Sequence, residues 1–145
     1  MTQPKRSSTT RTVLIVVGIV LAVCAVGAVA GGFLLFRSIQ TATAPARDAA
    51  DQFVRKLEAG DVSGAYGMLC RSTRERFTFS AFERGVRDQP HISSHEIVGV
   101  NVSNVNGRQS GQVTVDLTLD SGFTERHSFL MVPESGQWKV CGNPY

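Results

Sequence analysis

Gln112-Val-Thr-Val-Asp-Leu-Thr-Leu-Asp120 is the stretch of this 145-residue chain that decides its fold. Its four aliphatic side chains, from Val113 to Leu119, fall on one face of an extended backbone, and the polar side chains between them fall on the other. A strand with this pattern is typical of an antiparallel sheet that has one face buried and one face in water. The stretch therefore predicts a sheet whose aliphatic face needs a covering layer.

Three more strands are predicted around this one, with short turns between them. On the first strand, Val98, Val100 and Val102 are predicted to share one face. The second half of the chain is thus a four-stranded meander. The predicted strands are Glu96–Ser103, Gln112–Asp120, Phe123–Val132 and Trp138–Cys141, and the turns are Asn106-Gly107, Ser121-Gly122 and Pro133–Gly136.

The residues before the sheet supply the covering layer as helices. Apolar side chains recur there at three- and four-residue spacing, first at Ala46, Ala49, Ala50, Phe53 and Leu57, then at Val62, Ala65, Tyr66 and Leu69.

Local signals set the ends of these helices. Gly60 is predicted to end the first helix, and Asp61 to cap the second. A polar connection over Arg71–Arg76 follows, and a capping box at Ser80–Glu83 opens a short third helix. Pro90 ends that region. The predicted fold class is α+β, with two to three helices packed on one face of a four-stranded antiparallel meander.

An apolar segment precedes the domain. Val13–Phe36 holds 20 apolar side chains and four glycines, and as a helix it would be about 36 Å long, against a hydrocarbon core of about 30 Å. We interpret it as a retained transmembrane helix. Two alternatives stay open: a signal peptide cleaved at Ala28-Val-Ala30, and a lipoprotein signal ending at Cys24. All three interpretations place the following domain outside the cytoplasm.

Charge sets the orientation of this segment. The chain has a net charge of +3, and residues 1–12 hold Lys5, Arg6 and Arg11 but no acid. Basic flanks stay in the cytoplasm, so residues 1–12 are predicted to be a cytoplasmic tail of a plasma-membrane protein. Residues 37–45 form a tether, and residues 46–145 form the outer domain. Gly27 and Gly31 make a GxxxG pair, which could be the face of a helix dimer.

The outer domain is close to neutral. It holds 11 basic and 12 acidic residues, so its net charge is −1. A domain without an excess of positive charge gives no basis for nucleic-acid binding.

Two cysteines lie outside the apolar segment. Cys70 follows a predicted helix and Cys141 ends the last predicted strand. Outside the cytoplasm, such a pair without metal-type spacing predicts a disulfide. Two buried free thiols, or a redox role, are the alternatives.

Several motifs together resemble a known group of proteins. They are Ala59-Gly60-Asp61, Ala65-Tyr66, Leu69-Cys70 and the closing Gly136-Gln-Trp-Lys-Val-Cys141. This set resembles actinobacterial single-pass envelope proteins whose outer domain, of unknown function, is similar to nuclear transport factor 2, a cystatin-like, cone-shaped fold. The resemblance implies a curved sheet wrapped around helices and supports linking Cys70 to Cys141. It implies no activity, because this fold hosts enzymes, ligand binders and assembly modules.

Candidate chemistry is sparse. The enzymes of the resembling family place a carboxylate, with His or Tyr, inside the cone, which makes Tyr66, Asp116, Glu125 and His127 the residues to examine. His91 and His95 lie near Pro90 in a predicted loop, where their spacing does not favour a metal site. We therefore predict no metal, no cofactor and no catalytic activity.

The sequence thus favours a non-enzymatic, membrane-anchored accessory or interaction module of the cell envelope, with envelope proteins or a second copy as partners. The main alternative is a small-molecule or lipid binder that uses the cone interior, and an isomerase- or dehydratase-like enzyme is the third. The residues expected to line such an interior are Phe53, Tyr66, Phe82, His127 and Trp138.

Overall fold

The computed structural model describes residues 43–144. The predicted tail, the transmembrane segment at Val13–Phe36, the Gly27–Gly31 pair and most of the tether lie outside these residues. Among residues 43–144, no helix is both long enough and apolar enough to cross a membrane.

Helices come first in the described part of the chain. Helix α1 covers residues 43–58, and three shorter helices follow: α2 (Val62–Gly67), α3 (Arg71–Arg76) and α4 (Phe79–Asp88). The end of α1 follows the prediction, since Gly60 has φ +71° and its N–H donates to the carbonyl of Leu57. Asp61 caps α2 by accepting a hydrogen bond from the Gly64 N–H at 2.8 Å.

Two predictions about the helical region were wrong. Arg71–Arg76 is a helical turn and not an irregular connection. The cap of α4 is Thr78, whose hydroxyl accepts from the Ala81 N–H, and not Ser80. Glu83 therefore does not reach back to a cap; it forms an ion pair with Arg87 at 3.2 Å.

The sheet has four antiparallel strands in the order β1-β2-β3-β4, as the meander predicted. They are β1 (Ile92–Val105), β2 (Arg108–Leu119), β3 (Thr124–Glu134) and β4 (Gln137–Cys141). Val113 and Val115 are fully buried and Leu119 is nearly so, which confirms the buried face of β2. Asn106 and Gly107 both have positive φ, as the predicted hairpin requires.

A β-bulge interrupts β1. Ile97 pairs with Val115 whereas Gly99 pairs with Thr114, so one extra residue, Val98, stands between them. The bulge turns Val98 outward, where it is 43% exposed, while Ile97, Val100 and Val102 pack against the core. The prediction that Val98 shares a face with Val100 and Val102 was therefore wrong.

The core lies between the helices and the inner face of the sheet. Phe53 of α1 meets Phe129 of β3 edge to face, with ring centroids 5.4 Å apart. Around this pair the buried cluster contains Ala46, Ala50, Val54, Leu57, Ala65, Leu69, Phe82, Val113, Val115, Met131 and Val140.

A covalent link joins the helical layer to the sheet. Cys70 and Cys141 form a disulfide with Cα atoms 5.3 Å apart, as predicted. Beside it, Leu69 forms a parallel bridge with Val140, and the Cys70 N–H donates to the Val140 carbonyl at 2.8 Å. The junction between α2 and α3 is therefore fixed to the last strand by a disulfide and by backbone hydrogen bonds.

Candidate binding cavity

A cavity of about 490 Å³ opens where the C-terminal end of α1 meets the sheet. Its lining is mostly apolar, with a few titratable side chains among the apolar ones. The lining residues are Leu57, Gly60, Val62, Glu83, Val86, Arg87, Gln89, Pro90, His91, Ile92, Leu117, Leu119, Glu125, His127, Phe129 and Pro144. Cavities between about 300 and 1,000 Å³ with such a lining are the usual sites of small-molecule binding.

Of the five residues that the sequence suggested for a pocket, His127 lines this cavity. Phe53 and Phe82 are fully buried in the core. Tyr66 packs against Phe82, and Trp138 lies half-buried near Gly111. Phe53, Tyr66, Phe82 and Trp138 thus do not line the cavity, and Phe129 is an aromatic side chain that does.

His127 is half-buried on the inner face of β3. Its ring lies against the ring of Phe129, with centroids 4.8 Å apart. Glu125 shares this face two residues earlier and also lines the cavity. The pair supplies polar groups next to an apolar wall.

His91 stands on the opposite side of the same cavity. Its Nε2 lies 3.1 Å from the Glu58 carbonyl oxygen, and its Nδ1 lies 3.4 Å from Asp120 Oδ1. These contacts hold the imidazole between the end of α1 and the end of β2.

The other catalytic candidates are engaged elsewhere. Asp116 receives two hydrogen bonds from Arg126, at 2.7 and 2.8 Å, across the outer face of the sheet. The bonds from Arg126 hold the pKa of Asp116 below its ordinary value. The Tyr66 hydroxyl donates to the Phe77 carbonyl at 2.9 Å. Neither side chain lines the cavity.

A half-buried histidine that the sequence placed in a loop is part of β1. The His95 side chain is 8% exposed and lies between two carboxylates of α1. Its Nδ1 is 2.6 Å from Glu58 Oε1, and its Nε2 is 3.0 Å from Asp51 Oδ1. Asp51 and Glu58 are seven residues apart, so two helical turns put them on the same face of α1.

Arg55 extends this arrangement at the surface, donating from Nε to Asp51 Oδ2 at 2.7 Å. Partial burial acts to raise the pKa of Asp51, but the hydrogen bonds from His95 and Arg55 outweigh it, so this pKa lies below its ordinary value. Asp51 therefore remains ionised in mild acid.

A metal site needs several ligating side chains that converge on one point. Among residues 43–144, no group of three or more His, Cys, Asp and Glu side chains has the geometry to hold a metal ion.

No protein-family model matches the sequence, and no curated protein matches it. Several solved structures are similar to the chain at low identity. A protein described as an NTF2-like transpeptidase, from Campylobacter jejuni, is 15% identical with a TM-score of 0.49, over 65% of this chain and 94% of its own. The protein Aln2 from a Streptomyces species is 16% identical with a TM-score of 0.45, over 67% and 83%.

A third similar structure is described as a calcium/calmodulin-dependent protein kinase II association domain, from Xanthomonas campestris. It is 16% identical with a TM-score of 0.40, over 62% of this chain and 76% of its own. All three likenesses are remote, and no activity is carried over from them. The architecture rests on the strand order and the helix packing described above.

Proposed function

We propose that residues 43–144 form a non-catalytic binding module for a small, largely apolar molecule, which enters the cavity between α1, α4 and the strand ends. The observation that carries this proposal is the cavity itself: about 490 Å³, with aliphatic side chains and Phe129 as its walls. Burial of apolar ligand surface against such walls is the main source of affinity in sites of this kind.

Polar groups at the cavity would orient the ligand rather than transform it. Glu83 and Arg87 neutralise each other, which leaves Gln89, Glu125 and His127 to contact a polar group on the ligand. Asp116 and Tyr66 have partners outside the cavity. Two of the four catalytic candidates are therefore out of reach of a molecule in the cavity, and the apolar walls favour binding over acid–base chemistry.

We further propose that the domain is displayed outside the plasma membrane by the apolar segment at Val13–Phe36, with residues 1–12 in the cytoplasm. The disulfide supports this proposal, because such bonds persist in oxidising compartments.

We also propose that the domain is of the nuclear-transport-factor-2-like type, because its helices precede and cover a four-stranded meander. Assembly with envelope proteins or with a second copy, for example through Gly27 and Gly31, stays a prediction.

The binding proposal is tested by filling the cavity. Val86 lines it from α4, whereas Val105 is 62% exposed and lies outside it. In a fragment of residues 41–145 whose folding has been checked by circular dichroism, the uncharged fluorophore N-phenyl-1-naphthylamine should bind. Val86→Trp should weaken this binding by about tenfold or more, since the added ring takes up space that the ligand would otherwise fill.

Val105→Trp is the matched control and should bind the fluorophore as the unsubstituted fragment does. Absence of binding to the folded fragment, or equal binding by both tryptophan variants, would contradict the proposal.

Membrane display is tested separately. After alkaline carbonate extraction of isolated membranes, the full chain should stay in the membrane pellet. In a second experiment, protease added to the outside of intact cells should cleave it.

A further inference from the structure

We infer that Asp51, His95 and Glu58 form a proton-dependent latch that fixes the C-terminal half of α1 to strand β1. The inference rests on the two hydrogen bonds of His95, on its burial and on its neighbours. It does not depend on ligand binding.

The chemistry of the latch follows from which atoms face each other. Each ring nitrogen of His95 faces a carboxylate oxygen, at 2.6 and 3.0 Å. An ionised carboxylate only accepts hydrogen bonds, so both bonds form together when both ring nitrogens carry a proton. The imidazolium then sits between two negative charges with little access to water, where charge-assisted bonds are strong.

Loss of one proton breaks this arrangement. The neutral ring keeps one N–H, so one carboxylate would face a nitrogen lone pair at hydrogen-bond distance with no proton between them. With the His95 side chain only 8% exposed, water has little room to replace the lost donor. Removal of this proton as the pH rises should therefore release one side of the latch.

The other neighbours of His95 do not compensate for that loss. From α1, the charged groups facing it are Asp51 and Glu58, with Arg55 bound to the far oxygen of Asp51. From β2, its strand partner is the apolar Leu117. The adjacent pair, Glu96 and Asp116, alternates to the opposite face of the sheet, where Asp116 is bound to Arg126.

The latch adjoins the cavity wall. Glu58 also accepts, through its backbone carbonyl, the contact from His91 at 3.1 Å. His91, Leu57 and Gly60 all line the cavity. Loss of either bond therefore weakens the hold on the segment of α1 that forms one wall. The proton state of His95, which lies outside the cavity, would thus affect how firmly that wall is held.

Hydrogen exchange on the full chain in mild detergent tests the latch without any ligand. Protection factors of amides in residues 52–58, measured relative to those of β2, should fall by about tenfold between pH 5.5 and about pH 9, a factor typical of losing one hydrogen bond to a charged group. Glu58→Gln should remove this pH dependence and keep α1 protected, because an amide side chain can donate to the unprotonated nitrogen.

Glu75→Gln is the matched control, since Glu75 is exposed on α3 and away from the latch. This variant should keep the pH dependence of the unsubstituted chain. The inference is overturned if the relative protection of residues 52–58 does not change with pH, or if Glu58→Gln retains the full change. The first of these outcomes is decisive even where the substituted chain fails to fold.

Discussion

At the scale of single residues, Phe53 is the side chain whose packing most directly joins the helical layer to the sheet. It is fully buried and meets Phe129 edge to face. We expect Phe53→Ala to lower the free energy of unfolding by about 3–5 kcal/mol, because the lost ring leaves a cavity that the core fills only in part. Chemical denaturation measures this loss.

Phe123 provides the control for that substitution, since it is 74% exposed. Phe123→Ala should change the free energy of unfolding by less than about 0.5 kcal/mol. Similar losses in the two variants would show that the buried ring pair is not a main contact between the layers.

The pKa of Asp51 indicates how the free energy of unfolding should change at acid pH. Its pKa is lower in the folded protein than its ordinary value of about 3.9. A carboxyl of this kind contributes stability above the ordinary pKa, and the contribution disappears as the pH falls through the folded pKa. We therefore expect the free energy of unfolding to decrease below about pH 4, and to do so less steeply in Asp51→Asn. Asp48 is exposed on α1 and serves as the control. Asp48→Asn should show the same decrease in the free energy of unfolding at acid pH as the unsubstituted protein.

Single residues also show what the sequence could not provide. Apolar spacing on the helices and alternation on the strands indicate which side chains face inward, but neither indicates depth. These patterns therefore did not separate the buried Phe53 and Phe82 from His127, which lines the cavity. The neighbours of His95 are 37 and 44 residues away along the chain. These contacts form only when α1 packs on β1. No pattern of neighbouring residues in a single sequence indicates that packing.

At the scale of elements, the β1–β2 hairpin depends on glycine at one turn position. Gly107 has φ +80°, and a Cβ there would meet no other atom within 4 Å. Any effect of Gly107→Ala thus comes from the backbone, and we expect the free energy of unfolding to fall by about 1–2 kcal/mol. Thermal unfolding followed by circular dichroism measures it.

Gly67 is the matched control for this turn. A Cβ there also has open space, but Gly67 ends a helix without positive φ. Gly67→Ala should be neutral or should stabilise the protein by up to about 1 kcal/mol. A loss at Gly67 as large as at Gly107 would argue against the backbone explanation.

The helices and strands were predicted well where a local pattern sets their ends, and poorly where tertiary contacts set their ends or their register. The hairpin at Asn106-Gly107, the end of α1 and the start of α2 follow from turn and cap chemistry within a few residues. The bulge at Val98 could not be predicted, because period-two alternation assumes one residue for each partner position. At α4 the sequence predicted Ser80 as the cap, whereas Thr78, two residues earlier, takes that position.

At the scale of the whole molecule, the disulfide spans 71 residues. A loop of that length implies about 4 kcal/mol of stabilisation through the entropy of the unfolded chain. The double variant Cys70→Ala with Cys141→Ala should therefore unfold at a lower guanidinium concentration than the oxidised protein. Reductant should lower the unfolding midpoint of the original chain and leave that of the double variant unchanged; equal midpoints for both chains without reductant would exclude this contribution.

The same bond also sets how far the domain could stretch under tension. With Cys70 and Cys141 joined, a pull between residues 43 and 144 can straighten the helices before Cys70 and the few residues after Cys141, to roughly 110 Å at about 3.6 Å per residue. The reduced chain would reach about 360 Å. The sheet lies almost entirely inside the closed loop, so a mechanical load would bypass the strands that form the cavity and be carried by α1 and α2.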